Sequence, residues 1–214
     1  EAGWLWIGIG LALTVINIVI ALVPMIGDLA TSLLFPVFGG GLMLGCHAID
    51  AGEDLRFGHL FAGFQNKLGR LLMISVLCLP VIFVIAAAGF FFVVAPIEES
   101  IGYFYNRMPP ELNLSLLLSV ILFSSVLVAL LCMAAWFAPA LVALHEEPTA
   151  FEAMKLSFRG CLRNWLPFLV YGLVFIVLAI LASLILLLGW LVLMPVIYCS
   201  TYAAYRDIFT VERR

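Results

Sequence analysis

The chain has 214 residues, of which 65% are hydrophobic and only 11% charged, with a mean hydropathy of +1.22 and a formal charge of −3. An ordinary soluble domain is nearer half apolar and a quarter charged, so a chain this apolar needs lipid as part of its solvent. It carries no dense basic patch or stripe, which excludes a nucleic-acid footprint.

The first apolar run, Trp4 to about Val23, is long enough to span a bilayer, opens on Trp4 and Trp6 and closes at Pro24. No basic stretch precedes it and no small-residue cleavage pattern follows, so it reads as a mature transmembrane helix. The second span, about Leu29 to Ile49, contains Pro36 and the triplet Gly39-Gly40-Gly41. Gly41 and Gly45 form a GxxxG pair that lets another helix backbone approach closely; the plainer alternative is a glycine-rich helix with a proline kink.

After the polar stretch Asp50 to Arg56, apolar residues recur at helical spacing at Phe57, Leu60, Phe61, Phe64 and Leu68. This predicts an amphipathic helix over about 55–67 lying in the headgroup plane. The third span is about Leu71 to Ala95, with Pro80 within it, and a loop with Tyr103, Tyr105 and Arg107 leads to the fourth run, Leu114 to Leu144. That run would reach about 46 Å as one helix, more than the roughly 30 Å hydrocarbon layer, so it must tilt, kink at Pro139 or project beyond the layer.

A second interfacial helix over about 149–163 starts at Thr149, whose partner Glu152 three residues on completes a capping box. Phe151, Met154, Phe158 and Leu162 share one side, and Lys155, Arg159 and Arg163 run along another. The last apolar stretch, Phe168 to Ala204, is too long for one span and must turn back near Gly189-Trp190, giving spans of about 168–188 and 190–205. The expected fold is therefore all-α: a polytopic membrane protein of six transmembrane helices and two interfacial helices, forming one transmembrane domain over 1–214.

Sidedness of charge orients it. Of ten Lys and Arg residues, all but Arg107 follow the second, fourth or sixth span. Short basic loops stay in the cytoplasm, so both ends of the chain are expected there. The two interfacial segments align without gaps at an offset of 94, matching Phe57 with Phe151, Phe64 with Phe158 and Leu68 with Leu162. The alignment suggests a parallel repeat of span, interfacial helix and span; convergent amphipathic patterning gives the same match.

Candidate chemistry is sparse. No charged residue or histidine lies near the middle of a span, which argues against proton- or sodium-driven transport. GxSxG, HExxH, P-loop and Rossmann patterns are all missing, so no catalytic residue is expected and the chain reads as non-enzymatic. His47 and His145, at the inner ends of two spans, are the residues a haem iron or metal would use; the plainer reading is an imidazole bonded to a carbonyl or water. No cofactor or metal is assigned. Asp50, Glu53, Asp54, Glu146 and Glu147 read as solvated loop residues, and the five scattered cysteines as small hydrophobes, neither disulfides nor ligands. Lys155, Arg159 and Arg163 are candidates for an anionic lipid headgroup, against the alternative that they only hold the loop inside.

The stretch Trp136-Phe137-Ala138-Pro139-Ala140-Leu141-Val142, then Lys155-Leu156-Ser157-Phe158 and Cys161-Leu162-Arg163-Asn164-Trp165-Leu166-Pro167-Phe168, resembles an uncharacterised family of small proteobacterial inner-membrane proteins. The closing Tyr202-Ala203-Ala204-Tyr205-Arg206-Asp207-Ile208-Phe209 is similar too. More loosely, the chain resembles the membrane domain of some glycerophosphoryl diester phosphodiesterases. The resemblance implies six helices in a bacterial inner membrane and supplies no catalytic residues. Related membrane proteins labelled as cytochrome oxidase components point weakly to a respiratory accessory role. The leading expectation is a subunit or scaffold that associates with other membrane proteins or itself through the Gly41/Gly45 face and the Tyr103–Tyr105 loop. The alternatives are a lipid-handling protein and a haem-carrying accessory component.

Overall fold

The computed structural model describes residues 2–23, 26–65, 67–90, 114–146, 148–184 and 188–210, and every regular element among them is helical. In chain order these are α1 (Ala2–Ala21), α2 (Ile26–Asp50), a 3-10 turn (Phe57–Phe61), α3 (Ala62–Gln65), α4 (Leu68–Gly89), α5 (Leu114–Ala135), α6 (Ala138–Leu144), α7 (Ala150–Arg163), α8 (Trp165–Leu184) and α9 (Leu188–Phe209). Among the described residues, five stretches are long and apolar enough to cross a membrane: 3–21, 26–50, 68–89, 118–144 and 165–184. Most of their large apolar side chains point outward, as expected where lipid is the solvent.

α2 is the hub. Over half of its span is enclosed by protein (56%), against 22% for α1 and α4. Its glycines permit this, because they let the chain's own backbone approach. A Cβ at Gly41 would stand 2.5 Å from the His59 carbonyl, and one at Gly45 would crowd the Leu55 and His59 side chains. The return contact is tighter still: Gly63 leaves no room for a Cβ against the Val37 carbonyl. The GxxxG pair therefore does admit a close neighbour, and that neighbour is the chain's own 55–63 segment.

This contact also explains why the first interfacial segment is not the continuous helix expected over 55–67. It is a five-residue 3-10 turn followed by a single turn of α-helix. Lys67, in the left-handed region at φ 60°, then redirects the chain into α4. Wedging beneath α2 takes precedence over the amphipathic period. The counterpart, α7, is a regular 14-residue helix, so the two aligned segments share a pattern but not a conformation.

Prolines shape the long helices, and serines from neighbouring helices repair the damage. Pro36 cannot donate to the Ser32 carbonyl four residues back. The buried Ser75 hydroxyl on α4 donates to that carbonyl at 3.1 Å and to Leu33 O at 3.0 Å. In the fourth run the helix breaks at Trp136–Phe137, two residues before Pro139, which sits in the first turn of α6 where its missing N–H costs nothing. Here a hydroxyl enters the helical ladder. Phe137 N–H would bond Met133 O in a straight helix; instead it donates to Ser157 Oγ at 3.0 Å, which donates to Met133 O at 2.8 Å.

α8 and α9 run antiparallel, joined by Trp190 Nε1 donating to Ser183 Oγ and by the Tyr171–Ser200 hydroxyl pair. α8 ends at Leu184 and α9 begins at Leu188, so the expected turn residues Gly189-Trp190 already stand within α9. Gly189 is instead a close-approach residue against the Ala182 backbone. The core of the bundle lies toward its charged end, around Val37, Leu42, Leu60, Leu71, Phe137 and Val142.

Candidate functional site

The charged end is organised by three helix ends. α2 ends in His47 and Asp50, α6 ends at Leu144 and is followed by His145, and both histidines lean on the last turns of α9. His47 Nδ1 lies 2.8 Å from the Tyr202 hydroxyl, and His145 Nδ1 lies 2.9 Å from that of Tyr205. Three residues apart, the two tyrosines share one face of α9.

Proton placement follows at the first pair. The Tyr202 hydroxyl donates its one proton to Asp50 Oδ2 at 3.2 Å. It must then accept from His47, which assigns the His47 proton to Nδ1. Arg206 Nη1 donates to the other Asp50 oxygen at 2.6 Å, closing a relay from His47 through Tyr202 and Asp50 to Arg206. The aromatic row runs on: successive ring centroids from His47 through Tyr202 and Tyr205 to His145 are 6.0, 6.1 and 5.9 Å apart. Tyr205 then meets Phe209, which packs edge-on against the fully buried Phe137 at the break between α5 and α6. Each histidine is engaged at Nδ1 by a tyrosine hydroxyl, in place of the carbonyl or water of the plainer expectation. Among the described residues no three His, Cys, Asp or Glu side chains group as metal ligands would.

Beside His145 opens a cleft of about 760 Å³ lined by Leu141, Leu144, Leu156 and Phe209 on its apolar side and by Lys155 and Arg159 on its polar side. His145, Glu146, Pro148 and Glu152 complete the rim. The carboxylates at that rim are already engaged. Glu152 accepts from the backbone N–H and hydroxyl of Thr149 in the expected capping box, and these bonds hold its carboxyl below the ordinary range. Glu146 pairs with Lys67 at 3.2 Å. Lys155 Nζ sits 4.4 Å above the Phe151 ring, and neither it nor Arg159 forms an ion pair among the described residues. Arg163, expected to act with them, does not line the cleft.

Two other cations have structural work. Lys67 Nζ donates to the His145 carbonyl at 2.7 Å and Arg70 to the Glu146 carbonyl at 2.7 Å, which caps the chain where α6 ends. The sequence offered no sign of these bonds, of Ser157 or of the two tyrosines as histidine partners, because each links positions 20 to 155 residues apart. The same holds for Cys46 and Cys199, whose sulfurs lie 3.8 Å apart. The Tyr103–Tyr105 loop offered as an association surface lies outside the described residues, and the Gly41/Gly45 face is occupied internally.

The chain is 31% identical over 220 residues to a probable inner membrane protein of Burkholderia thailandensis, an alignment covering 90% of this chain and 80% of the relative. No protein-family model and no solved structure matches it. Helices that need lipid and a relative matched over most of its length lead to one conclusion: the chain belongs to the same family of inner-membrane proteins as that Burkholderia relative.

Proposed function

We propose that the protein is a lipid-handling component of the bacterial inner membrane that holds anionic headgroups on its cytoplasmic side. The observation that carries this reading is the pair Lys155 and Arg159, two cations without an ion-pair partner among the described residues, on an amphipathic helix beside an apolar wall. A phospholipid needs this combination: cations for the phosphate and apolar surface for the start of its acyl chains. The orientation rests on six spans, with α9 as the sixth, and on the basic loops that would keep both ends in the cytoplasm. α9 is less apolar than the others because its last turns carry Ser200, Thr201, Tyr202, Tyr205 and Arg206, which suits a helix whose inner end leaves the hydrocarbon. The parallel-repeat reading draws on the sequence match of the two interfacial segments and on His47 and His145, which each follow one half's long helix and meet tyrosines of α9.

Each basic residue near an anionic surface contributes about 1 kcal/mol, so Lys155 and Arg159 together supply about 2 kcal/mol, or ~30-fold in affinity. The test is the double variant Lys155→Gln/Arg159→Gln, extracted with its surrounding native lipids. Mass spectrometry should find anionic phospholipid strongly depleted relative to wild type, while Arg163→Gln retains it. Equal anionic lipid in wild type and the double variant would remove the reading.

A further inference from the structure

We infer that Cys46 and Cys199 form a peroxide-reactive thiol pair within the membrane, oxidised to a disulfide by lipid hydroperoxides. The inference is independent of the headgroup cleft. Cys46 on α2 is 4% exposed, whereas Cys199 on α9 is exposed on the bundle surface. Their sulfurs are 3.8 Å apart, and no other cysteine pair among the described residues is in such contact. A disulfide needs about 2.05 Å between sulfurs, so oxidation must bring these two sulfurs closer by side-chain rotation and a shift of the helices.

The pair combines one accessible thiol and one sheltered partner, the arrangement that peroxide chemistry uses. Depth supports it. Cys199 precedes Arg206 by seven residues, about 10 Å along the helix, which sets it on the hydrocarbon side of the charged end. A lipid-soluble hydroperoxide enters from that layer, with its polar group drawn toward the charged end near Cys199.

The chemistry balances in two steps. The Cys199 sulfur attacks the outer oxygen of the hydroperoxide and the O–O bond breaks. The thiol proton goes to the departing alkoxide, leaving a lipid alcohol and Cys199 sulfenic acid. The Cys46 sulfur then attacks the sulfenic sulfur, the S–S bond forms, and the hydroxyl leaves as water with the Cys46 proton. Two electrons pass from the thiol pair to the peroxide. The product ties α2 to α9 beside the His47–Tyr202 contact, which fixes the helix that brings Phe209 to the cleft.

The full chain in lipid nanodiscs, treated with cumene hydroperoxide, provides the test. Differential alkylation should show two of the five thiols lost together, peptide mapping should recover a Cys46–Cys199 cross-link, and dithiothreitol should restore both thiols. The lipid-soluble peroxide should act several-fold faster than hydrogen peroxide. Cys46→Ser should leave a sulfenic acid on Cys199 that dimedone traps; the wild-type mapping decides the matter without any variant. An unchanged thiol count, or oxidation mapped to Cys78, Cys132 or Cys161, would overturn the inference.

Discussion

Ser157→Ala removes one oxygen atom and tests how the long fourth run is bent. The Ser157 hydroxyl is fully buried and makes two bonds, accepting from Phe137 N–H at 3.0 Å and donating to Met133 O at 2.8 Å. Hydrogen bonds between membrane helices are worth about 0.6 kcal/mol on average and buried bonds in general up to about 1.5. Two such bonds give a loss of about 1–3 kcal/mol. The Cys161 thiol, 3.5 Å from the same Met133 carbonyl, softens one arm and keeps the loss below the top of that range. Reversible unfolding in mixed micelles measures it, with Ser125→Ala as reference, since Ser125 is exposed and bonds Leu122 O in its own helix. The reference should stay within about 0.5 kcal/mol of wild type. If Ser157→Ala unfolds with the same free energy as Ser125→Ala, the hydroxyl does not hold the bend and the account of α5, α6 and α7 is wrong.

Gly63→Ala should destabilise by about 1–3 kcal/mol or more, because the added methyl meets the Val37 carbonyl, whereas Gly58→Ala meets nothing within 4 Å and should be neutral in the same unfolding assay. Equal effects at the two glycines would refute the wedge beneath α2. The capping box makes the start of α7 sensitive to acid. Thr149 holds the Glu152 carboxyl below its ordinary 4.5, so its contribution is complete above that value and is lost as pH falls through the lower folded value. Amide protection of Thr149, Glu152 and Ala153 should drop on acidification through that lowered value, and Glu152→Gln, which caps without titrating, should show no such drop.

Much of this architecture was legible because it is written in short-range patterns. Apolar run lengths pointed to membrane-crossing helices, five of which stand among the described residues, and Thr149 with Glu152 announced α7 because a capping box is local. Pro139 marked the bend, although the break falls at Trp136–Phe137 because the hydroxyl that fills it comes from α7. The first interfacial segment misled for a related reason: its period-3.6 apolar pattern is real, but Gly41, Gly45 and Gly63 draw it against α2 and tighten it into a 3-10 turn. Of the candidate site, Lys155 and Arg159 were visible as a basic stripe, and their exclusion of Arg163 from the cleft was not.

Taken alone, the order of residues determined that the chain lives in lipid as an all-helical protein and which charges cluster, since these depend on composition and on neighbours within a turn or two. Tertiary structure decided which ends meet: His47 with Tyr202, His145 with Tyr205, Lys67 with the end of α6, and Cys46 with Cys199. Helix composition does not encode partners, because one apolar surface suits lipid and a neighbouring helix equally well. Only close packing, set by glycines that remove bulk and polar groups that must find a bond, selects one arrangement.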